Sequence, residues 1–418
     1  MPWKASSVMD EKIRFICKHL DGETMTELCG EFGISRETGY VWVRRYRQTG
    51  PAGLIERNRA VHRHTNQTPK DIEQTILELR QAHMRWGPRK LRKVLKRDQP
   101  WGAWPAASTI GSMLKRAGLV VARKKRFRTA PYTKPLAHAG AANRVWCADF
   151  KGWFRTTDGE RIDPLTISDA HSRYLLRCQA VEKTDTTRVQ AIFEAAFREY
   201  GMPQAIRTDN GPPFASRAVA GLSRLALWWI KLGITHERIE AGHPEQNGRH
   251  ERMHRTMKQE TADPPAANRR AQQRKMDQFR EEYNQVRPHE ALEMETPAAI
   301  YQPSARIFPA RLPEPEYAAS MLVRSVRGRG YFRWKKHDVF LSEVFWGENI
   351  GLLPEDDRWF TIYFAEIPVA RFDSKKLCVM PLLKSEGFNR VNAGEGVPSP
   401  APHPTTPEDL KLSGMCPV

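Results

Sequence analysis

Val145-Trp146-Cys147-Ala148-Asp149-Phe150 is an apolar, β-prone run with a carboxylate set inside it. A charge inside such a strand is costly unless it is paired or bound to a metal, so Asp149 is the first residue expected to carry chemistry. Farther along, Ala205-Ile206-Arg207-Thr208 reads as a short strand that stops at Asp209-Asn210-Gly211, with a second carboxylate at the strand end. Around these two runs the pattern is mixed α/β. The first strand extends over 145–154 to a turn at Asp158-Gly159, and strands over 162–168 and 174–181 complete an antiparallel set of three. An amphipathic helix over 186–200 is halted by Gly201 and Pro203. A second helix covers 218–232, a strand 234–238, a third helix 248–260, and further helix 266–286 after Pro264-Pro265.

Three antiparallel strands followed by alternating helix and strand is the order of a ribonuclease-H-like fold with a mixed five-stranded sheet. Toward the N-terminus, residues 8–49 read as three helices. Ile13, Ile16 and Leu20 form one apolar stripe, Leu28, Cys29 and Phe32 a second, and Ser35 caps the third helix after a turn at Gly33. This is a helix–turn–helix pattern, with Trp42 and Tyr46 toward the core and Arg36, Glu37, Tyr40 and Arg44 toward DNA. Residues 70–120 repeat the theme, with Ile72, Ile76 and Leu79, then Leu91, Val94 and Leu95, and Ser108 as the cap of a last helix. The basic run Arg123, Lys124, Lys125, Arg126 and Arg128 follows. Charge clusters usually belong to solvated linkers, but its place beside helix–turn–helix units favours phosphate contact. Residues 320–385 are strand-rich and aromatic, which predicts a small β-barrel, made basic by Arg324, Arg327, Arg329, Arg333, Lys335 and Lys336.

The predicted division is a helix–turn–helix domain over 1–60 and a second one with the basic run over 61–130. A linker at 131–142, the catalytic core at 143–262 and its helical extension at 263–305 come next. The barrel takes 306–385, and a Gly-, Pro- and Ser-rich tail over 386–418 reads as disordered.

The 418 residues carry 67 Lys and Arg against 48 Asp and Glu, a formal charge of +19 and a pI near 9.8. Each phosphate neutralised by a cationic side chain releases condensed counterions, so this excess points to a polyanionic partner. A membrane surface would attract the same charge, yet no apolar stretch approaches the roughly 20 residues that span a bilayer. Met1-Pro2-Trp3-Lys4 leads into charged sequence without an apolar signal core. A cytoplasmic, nucleoid-associated protein is expected. The six cysteines (Cys17, Cys29, Cys147, Cys178, Cys378 and Cys416) never form a C-x-x-C pair, which speaks against a disulfide framework or a cysteine zinc knuckle.

Phosphodiester chemistry uses two metal ions roughly 3.5–4 Å apart, and hard cations such as Mg²⁺ take a few carboxylates together with water and phosphate oxygens. Besides Asp149 and Asp209, Glu251 fits, on the helix after His243-Pro244-Glu245-Gln246-Asn247-Gly248. Glu245 competes, but the helix dipole accounts for a carboxylate at its position. Asp163, Asp169 and Glu240 read as structural or solvated, Asp169 as a turn residue. His250-Glu251-Arg252-Met253-His254 also spells H-E-x-x-H, the zinc-protease helix signature. Arg249, Arg252 and Arg255 crowd that would-be zinc site and no third ligand is evident, so the protease reading ranks far below.

Arg207-Thr208-Asp209-Asn210-Gly211 and the run 243–255 resemble the integrase-type catalytic core of insertion-sequence transposases, which is related to that of retroviral integrases. Tyr283-Asn284, Arg287-Pro288-His289, Ala291-Leu292 and Thr296-Pro297 resemble the end of that core. The N-terminal helix–turn–helix and Trp86-Gly87-Pro88-Arg89-Lys90-Leu91 are similar to the family as well, so the likeness covers all but the last thirty or so residues. It implies a D, D, E triad: Asp149 in a W-x-x-D strand, Asp209 in D-N-G, and Glu251 three residues after the N-G pair. It further implies two Mg²⁺ or Mn²⁺ ions on these side chains and a bacterial polynucleotidyl transferase that cleaves element ends and transfers the strand to target DNA. Double-stranded DNA is then the partner, with Arg252, Arg255 and Lys258 facing phosphates, and a homodimer or higher assembly joins the two ends. The rival is a domesticated, non-catalytic DNA-binding regulator, disfavoured because all three acidic positions are filled.

Overall fold

A computed structural model describes residues 7–56, 67–120, 139–216, 218–239 and 248–382. The chain divides into two compact units, Met1–Asp71 and Ile72–Val418. The basic run 123–128, Glu240, Glu245 and the tail 386–418 lie outside the described residues.

The first unit holds α1 (Val8–Leu20), α2 (Met25–Glu31) and α3 (Arg36–Thr49). Each begins at a hydroxyl cap, Ser7, Thr24 and Ser35, whose side chain accepts the backbone N–H three residues on. A cap of this kind is worth about 1 kcal/mol. The buried stripe of α1 differs from the expected one. It is Lys12, Phe15 and Ile16, while Ile13 and Leu20 face solvent. The large Phe15 ring sets the rotation, meeting Phe32 and Trp42 edge-on at 5.4 Å each. Gly39 lets α3 approach: a Cβ there would stand 2.8–2.9 Å from Met25, Cys29 and Phe15.

From Ile72 the second unit holds most of α4 (Lys70–Ala82), then α5 (Pro88–Asp98) and α6 (Ala107–Arg116), closed on Ile76, Trp86, Leu91, Val94, Ile110 and Leu114. The cap position of α6 is Ala106, two residues before the expected Ser108, and has no side-chain hydrogen bond.

The central sheet contains β1 (Val145–Phe150), β2 (Phe154–Arg155), β3 (Arg161–Asp169), β4 (Leu175–Val181), β5 (Ala205–Thr208) and β6 (Thr235–Arg238). Its order is β4-β3-β1-β5-β6, with β1, β3 and β4 antiparallel and β1, β5 and β6 parallel. This is the expected mixed five-stranded sheet, plus a two-residue β2 on the edge of β3. The strand expected over 145–154 is broken by Gly152, whose φ of +83° lies in the left-handed region. Helices α7 (Thr186–Tyr200) and α8 (Arg224–Lys231) follow β4 and β5. The helix expected over 218–232 is shorter at its start. Ala220 and Gly221 have φ of 56° and 67°, which no helix tolerates, and Ser223 caps the helix by accepting the Ala226 N–H.

One side of the sheet is covered by α7 and α8 through Phe193, Phe197 and Trp229. A separate cluster joins Ile162, Leu175 and Cys178 to α9 (Gly248–Thr261) and α10 (Arg269–Glu281) through Met253, Met257, Met276 and Phe279. A short α11 (Pro297–Ile300) ends the core.

The last seven strands are β7 (Leu322–Arg327), β8 (Tyr331–Trp334), β9 (His337–Phe340), β10 (Asn349–Pro354), β11 (Trp359–Phe364), β12 (Ile367–Asp373) and β13 (Cys378–Met380). They form one antiparallel sheet in the order β13-β12-β11-β10-β7-β8-β9, and its end strands β13 and β9 come together in a nearly closed barrel. Alternation is plain in β11, where Phe360, Ile362 and Phe364 turn inward. Val323, Tyr331, Phe340 and Trp346, expected from their β-prone character, sit at the outer surface. Among the described residues no helix is long and apolar enough to cross a membrane.

Candidate active site

β1 and β5 are parallel neighbours in the register Val145 to Ala205, Trp146 to Ile206 and Cys147 to Arg207. Asp149 and Asp209 each stand two positions beyond the last of these pairs, Asp149 still within β1 and Asp209 one residue past the end of β5, so the two residues occupy matching positions at neighbouring strand ends. The crevice beyond the carboxyl ends of strands is where α/β sheets bind ligands. Asp149 lies opposite Thr166 of β3, with 15% of its side chain exposed.

The D-N-G turn holds the second carboxylate by three separate means. The Gly211 N–H donates to Asp209 Oδ1 at 3.2 Å. Asn210 Nδ2 donates to the Ile239 carbonyl at 2.8 Å, tying the turn to the segment after β6. Gly211 itself leaves space, since a Cβ there would be 3.1 Å from Asp209 Oδ2. Burial pushes the Asp209 carboxyl up from its ordinary value, and the Gly211 amide opposes this only in part. A desolvated carboxylate raised in this way is poised to gain from a cation.

Glu251 is in the first turn of α9 and exposed, as are Arg252, Arg255 and Lys258. The opposite face of α9 is buried through His250, Met253, His254 and Met257. Among the described residues no three His, Cys, Asp or Glu side chains gather closely enough to hold a metal ion. The structure thus sets Asp149 and Asp209 at neighbouring strand ends and leaves Glu251 on the outer face of α9.

That helix nevertheless reaches the same strand ends. His254 Nδ1 stands 3.8 Å from Asp149 Oδ2. The Nε2 atoms of His250 and His254 both lie 2.6 Å from Thr166 Oγ1. Both imidazoles are therefore in the core. Burial pushes His250 down to about 3, and burial with the nearby His250 and Lys151 charges pushes His254 lower still. The zinc reading of H-E-x-x-H does not fit, because both Nε2 atoms are turned onto one hydroxyl and Glu251 points away from them.

Thr166 and Ser168 are site residues that the sequence reading passed over. Their signal was a pair of hydroxyls, Thr166 and Ser168, alternating with the apolar Leu165 and Ile167 in β3, and Thr166 is fully buried. Asp169 is the expected turn residue, accepting from Asn143 N, Ser172 N and Ser172 Oγ at 2.7–2.8 Å. Asp163 pairs with Arg161. On α3, Arg36, Tyr40 and Arg44 are all exposed, and their spacing of four puts them on one face. Trp42 and Tyr46 pack against the core as expected. Arg123, Lys124, Lys125 and Arg126 lie outside the described residues.

Residues 139–244 and 232–297 match the Integrase core domain family, residues 11–60 a Helix-turn-helix domain and residues 38–114 a Homeodomain-like domain. The chain is 30% identical over 225 residues to the insertion element IS407 uncharacterized 31.7 kDa protein of Burkholderia multivorans, covering 53% of this chain and 78% of that one. It is 30% identical over 218 residues to the insertion element IS476 uncharacterized 39.2 kDa protein of Xanthomonas euvesicatoria, covering 51% of this chain and 60% of that one. Among solved structures it is similar to the HTLV-2 integrase catalytic core domain in complex with magnesium, with 18% identity and a TM-score of 0.31 over 40% of this chain and 99% of that one. Helix–turn–helix units ahead of a sheet that sets two aspartates at neighbouring strand ends, and these matches in sequence, place the chain in the family of insertion-sequence transposases with an integrase-type core.

Proposed function

We propose that this chain is a DNA transposase that cleaves phosphodiester bonds at the ends of a mobile element and joins the freed 3′-hydroxyl to target DNA. The observation that carries this reading is the pair Asp149 and Asp209, at matching positions of neighbouring strand ends, with the Asp209 carboxyl raised by burial. Glu251 is the third member of the set in this reading, although the structure leaves it on the exposed face of α9, opposite the face whose His254 stands 3.8 Å from Asp149. The donor set is all carboxylate oxygen, which fits hard divalent ions such as Mg²⁺ or Mn²⁺ and not zinc. Two such ions, when bound, supply an activated attacking oxygen and a stabilised leaving oxygen.

The chain's own part is positioning and charge. Arg252, Arg255 and Lys258 share the exposed side of α9 with Glu251 and bind phosphates there. Arg36, Tyr40 and Arg44 of α3 read the terminal repeats in the major groove, and the run 123–126, which follows both helix–turn–helix units in the sequence, binds phosphate backbone. Double-stranded DNA of element and target is the partner, and a homodimer or larger assembly brings two ends together. The bacterial nucleoid is the natural location for such an enzyme.

The test is Mg²⁺- or Mn²⁺-dependent cleavage and joining of DNA that carries the inverted repeats flanking the gene. Asp209→Asn and Glu251→Gln are expected to lose both steps while retaining DNA binding. Wild-type strand transfer by Glu251→Gln would overturn the third ligand. Tight binding by the wild type without cleavage would favour a non-catalytic regulator.

A further inference from the structure

We infer that His254 is a positioning residue for Asp149, locked in one tautomer by a directed hydrogen-bond chain that runs from Ser168 through His250 and Thr166. Its role beside Asp149 rests on the function proposed above, but the chain itself does not.

The argument is one of counting protons. His250 and His254 are each 3% exposed. A charged imidazole without a carboxylate partner in hydrogen-bond contact is disfavoured at such depth, so each ring is neutral and has a single N–H. Both Nε2 atoms lie 2.6 Å from Thr166 Oγ1, which has one proton to give. The direction is chosen at the far end. His254 Nδ1 stands 3.8 Å from Asp149 Oδ2, longer than a hydrogen bond yet close enough for the electrostatics to select. An N–H pointed at the carboxylate is attracted, whereas a ring lone pair is repelled, so His254 has its proton on Nδ1.

Its Nε2 is then an acceptor, and the Thr166 hydroxyl donates to it. Thr166 Oγ1 in turn accepts from His250 Nε2–H. His250 Nδ1 is left as an acceptor, and Ser168 Oγ lies 3.3 Å from it, able to donate. Every contact along the chain finds a donor and an acceptor, and all donors point toward Asp149; the approach of Thr166 Oγ1 to the Asp149 carbonyl is the one left without a proton. A competing arrangement exists, in which Thr166 donates to the Asp149 carbonyl at 3.3 Å. Both imidazoles would then have to donate from Nε2, and His254 would turn a lone pair toward the Asp149 carboxylate. The chosen chain therefore predicts opposite tautomers in the two rings, the competitor identical ones.

An outer partner of this type fixes the orientation of a metal-binding side chain, and its loss typically costs 10–100-fold in metal affinity. The full-length protein, labelled with ¹⁵N-histidine and free of metal, is the first sample to measure. Long-range ¹H–¹⁵N correlation, assigned by the signals lost in His250→Gln and His254→Gln, reads the tautomers. The expected result is His254 protonated on Nδ1 and His250 on Nε2. Protonation of His254 on Nε2 would overturn the inference even if the enzyme cleaves DNA.

The second measurement is the Mg²⁺ concentration for half-maximal cleavage. Asn at 254 keeps a donor where Nδ1 stands, and Gln keeps only the Nε2 side. His254→Asn is expected within about threefold of wild type and His254→Gln to need roughly 10–100-fold more Mg²⁺. Equal Mg²⁺ requirements in the two variants would overturn the positioning role. A wild type that cleaves nothing counts against the proposed function, while the tautomer measurement still decides the chain.

Discussion

At Gly211 the backbone and the Asp209 carboxylate approach so closely that a Cβ would stand 3.1 Å from Oδ2, and the carboxylate would have to give by a few tenths of an ångström. Gly211→Ala is expected to turn that carboxylate and slow cleavage roughly 10–100-fold, since a small misplacement of a reacting group carries costs of that order. The melting temperature should barely move. A large drop in stability with full activity per folded molecule would sink this reading of the turn. Asp209 itself is held against its own solvation. Its folded value is raised above the ordinary 3.8, so it destabilises the metal-free fold increasingly as pH rises through that folded value. Asp209→Asn should therefore melt a few degrees higher than wild type in EDTA at neutral pH, and an unchanged or lower melting point would refute the idea. The strand positions of both aspartates were legible in the sequence, but a charge in or at the end of a strand can also be structural, as Asp163 with Arg161 and Asp169 in its turn show. Thr166 was not legible as a site residue, because a hydroxyl among apolar neighbours has many roles.

Helix α9 shows what an element adds to its residues. The sequence spells H-E-x-x-H, yet the direction its histidines face is decided by Thr166, 84 and 88 residues away in the chain, which no local pattern reveals. Helix α8 was misjudged for the opposite reason. Its start is set locally, by the left-handed Ala220 and Gly221 and the Ser223 cap, but an apolar run hides such signals. Buried histidines across these elements make the core sensitive to acid. Burial pushes His236, His250 and His289 down to about 3, and His254 is also lowered. Above about pH 6.5 both folded and unfolded chains keep these rings neutral, and stability is full. As pH falls from 6.5 toward 3, the unfolded chain takes up protons that the folded one refuses. Stability then drops by up to about 1.4 kcal/mol per pH unit for each histidine. Urea unfolding at pH 7.5 and 5.5 checks this, and His236→Gln should make the fall shallower by one proton. A midpoint that rises on acidification would contradict it.

On the scale of the molecule, α8 serves two bodies at once. Leu225 and Trp229 belong to the central core, while Ala226, Leu227 and Ile230 join the apolar interior of the barrel. Lys231, only 6% exposed, adds ion pairs to Glu314 at 3.2 Å and Glu348 at 3.0 Å. The barrel was readable from the strand-rich, aromatic stretch 320–385, but its seat on α8 was not, although the sequence carried the clue. Leu225 to Ile230 is apolar all round, and a helix of that kind must be covered all round. It follows that core and barrel stand or fall together. Leu227→Ala removes a side chain that is 2% exposed, a change that costs roughly 2–5 kcal/mol at such sites. It should lower the melting of the whole second unit in one step. The barrel tryptophans Trp334 and Trp359 and the far-ultraviolet signal of the core helices are then expected to report the same shifted midpoint. If the barrel signal moved alone while the core kept its wild-type midpoint, the shared interior would be a contact without cooperativity, and α8 would belong to the core only.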